Sequence, residues 1–398
     1  MADVRSTGGP LHGVRVLELG NFIAGPFAGQ LFGDYGADVV KVESPGDGDP
    51  MRHWGVTTAE GDGLWWPTIG RNKRSITADL RTDDGRELVH TLAAVADIVL
   101  ENFTPGRLAE WGLGYERLRA VNPRVILVHV SGYGQTGPRA REAGFGSIGE
   151  AMGGVRHTTG DPDRPPARTG ISLGDSLAGL FAVIGGMAAL HERAASGVGQ
   201  EVDVAIYEAV AALMESSMAD FRVGGTLRHR SGGTLPGVAP ASAYPTADGS
   251  DVCIAGNADS VFRRLCEVMG RPDLADDPRF ADHSARGAHG HELDALVAGW
   301  TVTLESGALL EALASASVPA GRVYTAADML DDDHYAARDM VLTATARAGF
   351  VLPMTGVVPR FSRTPGRVRD VGPTLGEHDA EVRNGLAGDP SAWPAVAP

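Results

Sequence analysis

The chain has 398 residues, 43% of them hydrophobic and 21% charged, which is ordinary for a globular protein and long enough for more than one core. A formal net charge of −15 excludes a nucleic-acid binder, whose phosphate partner needs a basic face, while leaving room for one anionic small molecule in a locally basic pocket. The two cysteines, Cys253 and Cys266, exclude a disulfide framework and have no zinc spacing, so no metal is expected; they read as core residues of a strand and of a helix.

Residues 1–10 lack the apolar run of a signal peptide. The first half then alternates strand and helix signals in the manner of a parallel α/β sheet. Strands are expected over 14–19, 38–43, 75–80, 97–101 and 124–130, with a small-residue helix over 26–35 and helical spacing over 85–95. Ligands of such sheets gather at the carboxyl ends of the strands, which points to 20–26, 102–106 and 131–137. A long apolar helix over 175–195 follows. Its apolar stretch, 177–190, is rich in Gly and Ala and too short to span a bilayer, so a cytoplasmic protein without membrane contact is expected. A strand over 201–204 and a helix over 205–221 come next. Gly224, Gly225, Gly232, Gly233, Pro236 and Gly237 then punctuate the chain, and a lobe boundary is placed there. Residues 244–255 read as a hairpin turning at Asp248-Gly249, with helices over 260–269, 293–301 and 307–315. Beyond 318 the signals shorten, ending in a polar tail from Glu377.

Several motifs carry chemistry, each beside a plainer reading. Gly132-Tyr-Gly-Gln-Thr-Gly137 is a literal GxGxxG, but Pro138 follows and no helix does, so it reads as a binding loop rather than a dinucleotide fingerprint. His129 and His191 read as structural. Trp65-Trp66 is either a core plug or a platform for a flat group. Asn72-Lys-Arg-Ser75 with Arg81 is either a solvated turn or a phosphate grip, since Arg and Lys hold phosphate by charge-assisted hydrogen bonds. Asp175, at the start of the long helix, reads as its N-cap and equally as a nucleophile, because the helix dipole favours the ionised carboxylate there. Gly174 would remove bulk where a substrate carbonyl approaches.

Together these pieces resemble the class III coenzyme A transferase family, over nearly the whole chain. The resemblance rests on Gly13-Val-Arg-Val-Leu-Glu-Leu-Gly20 with Ala24-Gly-Pro26, Gly36-Ala-Asp-Val-Val-Lys-Val-Glu43, Gly48-Asp-Pro-Met-Arg52, Asn72-Lys-Arg-Ser75 and Ala96-Asp-Ile-Val-Leu-Glu-Asn-Phe103. It continues through Ser131-Gly-Tyr-Gly-Gln-Thr-Gly-Pro138, Gly174-Asp-Ser176 and Tyr244-Pro-Thr-Ala-Asp-Gly249. It implies an α/β fold and an interlocked homodimer. Each subunit would have a Rossmann-like large domain with a parallel sheet (1–222) and a smaller α+β domain (223–332), with 333–398 returning to the large one. The family's catalytic aspartate falls on Asp175. Its CoA contacts fall on Ile23 and Ala24, on Ala78, Asp79, Leu80 and Arg81, on Asn102 and Phe103, and on Ser131, Gly132, Tyr133 and Gly134. The basic cluster Asn72, Lys73 and Arg74 joins that set. CoA enters as a substrate, with no permanent cofactor. Departures are Ile23, where some relatives carry Gln, and Ser44, where some carry a basic residue. The glycine loop shrinks to Ser231-Gly-Gly233, which makes formate and oxalate poor substrates.

The reaction expected from this resemblance moves CoA from an acyl-CoA donor to a carboxylic acid through an aspartyl-CoA thioester on Asp175. Gly232 and Gly233 are candidates to stabilise the oxyanion. Gly144-Phe-Gly-Ser-Ile-Gly-Glu-Ala-Met-Gly153 and Arg168-Thr-Gly-Ile-Ser172 look like the dicarboxylate-using branch, with succinyl-CoA as donor and a malate- or citramalate-like acceptor. A second carboxylate needs a cation, for which Arg52, Arg71 and Arg168 are candidates. α-Methylacyl-CoA racemases of the same superfamily pair the aspartate with a histidine in a Gly-His-Asp context. This chain has Gly144-Phe-Gly-Ser147 there, so a racemase is the runner-up. A non-catalytic acyl-CoA binder is the alternative of another class.

Overall fold

The computed structural model describes residues 8–394; residues 1–7, most of the segment read for a signal peptide, lie outside the described residues. Six strands form one parallel sheet: β1 (Arg15–Glu18), β2 (Asp38–Glu43), β3 (Lys73–Thr77), β4 (Ile98–Glu101), β5 (Ile126–Ser131) and β6 (Glu201–Ala205), in the order β3-β2-β1-β4-β5-β6. The helices of this half are α1 (Ala24–Asp34), α2 (Trp66–Ile69), α3 (Asp83–Val95), α4 (Arg107–Glu110), α5 (Tyr115–Val121), α6 (Gly146–Met152), α7 (Val155–Thr158), α8 (Leu173–Ser196) and α9 (Ile206–Ala211).

Both faces of the sheet are covered, which is why its strands read as nearly continuous apolar runs. Side chains alternate across the pleat. Val16, Val39, Ile98 and Val128 join one core with Phe32 of α1 and Ala182 of α8. Leu17, Val40, Val99 and Leu127 join the other with Val89 and Leu92 of α3. The second core also takes Val382 and Leu386 from a helix over Asp379–Gly388. The tail expected to be polar is therefore a docked helix, tied on by the Arg74–Glu381 ion pair at 2.8 Å.

The helix α8 is longer than its apolar centre suggested. At 24 residues its length and composition would suffice to cross a bilayer, contrary to the reading of 177–190 as too short. It instead buries Leu177, Ala178, Ala182 and Val183 in the core beside α1.

The chain divides into two compact units. One takes the residues up to Val155, Thr169–Glu215 and the residues from Asp333; the other takes Arg156–Arg168 and Ser216–Asp332. The helix expected over 205–221 is two helices, α9 and α10 (Ser217–Arg222), because Glu215 takes a left-handed conformation with φ 50° between them. The second unit holds an antiparallel sheet, β7 (Ala241–Pro245), β8 (Asp251–Ala255) and β9 (Ala320–Arg322), around Tyr244, Val252, Ile254, Leu265 and Val297. The β7–β8 turn forms at Asp248-Gly249 as expected, with Gly249 at φ 78°. Cys253 is exposed rather than core: Val252 and Ile254 face inward, so strand alternation turns Cys253 out. Cys266 is buried, and burial pushes its thiol up to about 11.

Candidate functional site

The order of the sheet reverses between β1 and β4, and a crevice opens where crossovers leave on opposite sides. The loops after those strands are laced together there. The Asn102 side chain donates to the Asn21 carbonyl at 2.7 Å and accepts the Asn21 N–H at 2.8 Å. Gly20 is required under this clasp, since a Cβ on it would lie 2.9 Å from Asn102 Oδ1. Phe22 is held left-handed at φ 64°, and its N–H donates to Asp49 Oδ1 at 3.1 Å. A cavity of about 310 Å³ results, walled by Asn21, Phe22, Ile23 and Ala24, by Asn102 and Phe103, and by Ser131 and Gly132 at the end of β5. Phe145, Ile206 and Asp175 also line it.

Asp175 is the third residue of α8, inside its first turn, and the N-cap position belongs to Ser172. The expectation that Asp175 caps the helix is corrected by this. Both residue types cap well, so composition alone cannot set the register. The helix dipole still favours the ionised carboxylate at this position, because the field of a helix N-terminus extends over its first turn. The carboxylate lies on Gly146, where a Cβ would come within 2.1 Å of Oδ2. Gly174 does not clear a path for substrate as expected. The space in front of it is filled by the Gly146 carbonyl and Ile206, at 2.9 and 3.1 Å from a Cβ built there.

A second cavity of about 290 Å³ shares Asn21 and Phe103 with the first. Its wall includes Ser44, Ala78, Asp79, Leu80 and Arg81. Arg81 is exposed there and pairs with Asp79 at 2.8 Å; hydrogen bonding to Arg81 lowers the Asp79 carboxyl to about 2. Of the β5 loop, Ser131 and Gly132 face the first cavity. Tyr133 is buried beneath the Arg139 guanidinium, 4.4 Å from the ring centre, and the Gly134 N–H donates to Ser131 Oγ at 3.0 Å.

The cluster Asn72, Lys73 and Arg74 is not disposed as a phosphate grip. Asn72 donates to Asp34, Lys73 is fully buried against Glu18 at 2.8 Å, and Arg74 pairs with Asp38 and Glu381. Two of the three carboxylate-binding candidates are likewise engaged. Arg71 is 2% exposed and forked onto Asp34, and Arg52 pairs with Glu43 while stacking on Trp66 at 3.9 Å. Trp66 is accordingly a core plug, its Nε1 donating to the Pro373 carbonyl. In the second unit Arg168 is exposed, and the Gly232 N–H is occupied by the Gly160 carbonyl at 3.1 Å. Gly233 is exposed in the same loop.

Beneath the first cavity lies a buried ion network that the residue patterns did not single out. Lys41 bridges Glu18 and Asp49, both at 2.8 Å with every side chain fully buried, and reaches the Gly20 carbonyl at 2.6 Å. Burial alone would lower the Lys41 pKa, but the carboxylates of Glu18, Asp49 and Glu43 raise it above its ordinary value. Glu18, Lys41 and Glu43 stand beside apolar runs in β1 and β2, where buried ionisable residues are rare unless paired. His129, read as structural, is buried between Glu101 and Glu201, and Glu101 also receives the Phe103 N–H at 2.6 Å.

A family model described as CoA-transferase family III matches residues 11–379. A succinyl-CoA–D-citramalate CoA-transferase of Chloroflexus aurantiacus is 55% identical over 379 residues, 95% of this chain and 94% of that one. A succinate–glutarate CoA-transferase of Agrobacterium fabrum is 39% identical over 96% of this chain and 97% of its own length. Among solved structures, a CAIB/BAIF family protein from Brucella suis superposes with a TM-score of 0.84 at 39% identity, covering 95% of this chain and 99% of that one.

Proposed function

The chain belongs to CoA-transferase family III, and from that membership we propose that it carries CoA from succinyl-CoA to a dicarboxylic acid of the citramalate or malate kind, through a thioester on Asp175. The observation that carries the chemistry is the Asp175 carboxylate in the wall of the cavity where the sheet order reverses, beside a second cavity sharing Asn21 and Phe103. An elongated CoA thioester suits two neighbouring cavities that share Asn21 and Phe103, with its thioester in the first and its phosphates toward Arg81 in the second.

An Asp175 oxygen attacks the thioester carbon; the C–S bond breaks, leaving an acyl-aspartyl anhydride and CoA thiolate. The thiolate attacks the aspartyl carbonyl, expelling the donor acid as its carboxylate and leaving aspartyl-CoA. The acceptor carboxylate runs the same two steps in reverse, so no electrons or water enter the balance. Water must be kept out, since either acyl-enzyme would hydrolyse. Gly233 and Arg168 remain the candidates for the oxyanion and for the distal carboxylate of the diacid, since Gly232, Arg52 and Arg71 are engaged elsewhere. A cytoplasmic homodimer belongs to the same reading.

Intact-mass spectrometry after mixing with succinyl-CoA tests it. A CoA adduct on the wild type and none on Asp175→Ala is the expected result. Deuterium uptake at the α-carbon of a 2-methylacyl-CoA without an adduct would instead identify a racemase, and tight CoA binding with neither signal a binder. Activity confined to monocarboxylate acceptors would remove the dicarboxylate part.

A further inference from the structure

Resting on the reading of Asp175 as nucleophile, we propose that α6 fixes the orientation of its carboxylate, with Gly146 as the seat and Glu150 as a positioning residue. Gly146 and Glu150 are four residues apart and therefore share a helix face, here the face turned to the start of α8. The carboxylate of Asp175 rests on Gly146 so closely that a Cβ there would stand 2.1 Å from Oδ2, 2.6 Å from Cγ and 2.9 Å from Oδ1. No side chain of any kind fits that position without turning the carboxylate away.

One helical turn on, Glu150 is 0% exposed, and its Oε1 accepts the N–H of Gly174 at 3.3 Å. That N–H lies in the first turn of α8, where amides have no intrahelical acceptor, and it belongs to the residue directly before Asp175. A carboxyl group taken out of water is costly unless it is hydrogen-bonded, so Glu150 is an expensive residue for a plain helix contact. Alongside these two contacts α6 packs closely on α9. A Cβ on Gly149 would meet Ile206 Cγ2 at 2.4 Å, and one on Gly153 would meet Val210 Cβ at 2.5 Å. The glycines press α6 onto α9 while Gly146 and Glu150 grip α8 from the same side. The nucleophile thus takes its direction from a neighbouring helix and not from its own alone.

The test compares wild type with Gly146→Ala, Glu150→Ala and Glu150→Gln, reading the rate of CoA-adduct formation from succinyl-CoA, kcat and KM, the Kd for CoA and the thermal midpoint. Gly146→Ala is expected to slow adduct formation about 100-fold, as a misplacement of about 1 Å does. Its Kd for CoA should stay within about twofold, because Gly146 does not line the cavity. Glu150→Ala is expected to lower kcat about tenfold with KM unchanged. Glu150→Gln should recover to within about threefold of wild type, since its amide oxygen can accept the same N–H. Wild-type adduct rates in Gly146→Ala, or Glu150→Gln as slow as Glu150→Ala, would overturn the proposal; so would a loss of Glu150→Ala confined to KM. If Gly146→Ala does not fold, the Glu150 pair decides alone. A wild type that itself forms no adduct overturns the premise, and is told apart because all four proteins are then silent.

Discussion

Asn102 serves as the hinge pin of the site, making both hydrogen bonds that hold the loop after β1 against the loop after β4. Each such bond contributes about 1 kcal/mol net, so Asn102→Ala should raise KM for the CoA thioester about tenfold while kcat changes little; steady-state kinetics with succinyl-CoA check this. Asn102 and Asp175 were both legible from residue type and order. The register of Asp175 in α8 was not, because Ser172 and Asp175 compete as caps and only backbone geometry distinguishes them. The cluster at 72–74 misled for a related reason. A run of basic residues looks the same whether it faces solvent or a partner carboxylate, and Asp34, Asp38 and Glu18 lie 36 to 55 positions away in sequence.

Among the elements, the α1–α8 contact shows why both helices are rich in small residues. A Cβ on Gly179 would stand 2.9 Å from Phe27 Cδ1 and 3.0 Å from the Ala24 carbonyl, and backbone cannot yield as a side-chain end can. Gly179→Val should therefore cost about 1–3 kcal/mol through overpacking, read by urea denaturation. Because Ala24 also walls the first cavity, the same variant should weaken CoA binding. Elements with strong periodicity, such as α3 and α8, were foreseen to within two residues. The C-terminal helix was not, since only Val382 and Leu386 are buried in it and two side chains at its start, Asp379 and Glu381, are held by Thr77 and Arg74, contacts that no apolar period announces.

On the scale of the molecule, buried charge links the strands below the site. Lys41→Met would leave the buried Asp49 carboxylate without its cation and Glu18 with Lys73 alone, and should cost about 3–5 kcal/mol, measurable by urea denaturation. His129 joins β4, β5 and β6. Burial alone would lower its pKa, but Glu101 and Glu201 raise it above the ordinary value. A raised pKa means the folded state holds the proton more tightly than the unfolded state. Its stabilisation is full below about pH 6.5 and fades as pH rises through the folded-state value. The Tm gap between wild type and His129→Gln should therefore be larger at about pH 6 than at about pH 9. An equal gap at both would refute the charge role.

From its sequence the chain declares a parallel α/β sheet, the loops at its strand ends, a carboxylate at the start of a long helix and the family to which the order of these pieces belongs. Those are local or ordinal properties, set by hydrophobic period, turn residues and spacing. Tertiary structure alone decided which carboxylates the buried cations pair with, that Gly146 lies against the Asp175 carboxylate, and that Glu150 reaches the amide before it. Such contacts join residues far apart in the chain across packed helices, and no local pattern encodes a distance between two faces.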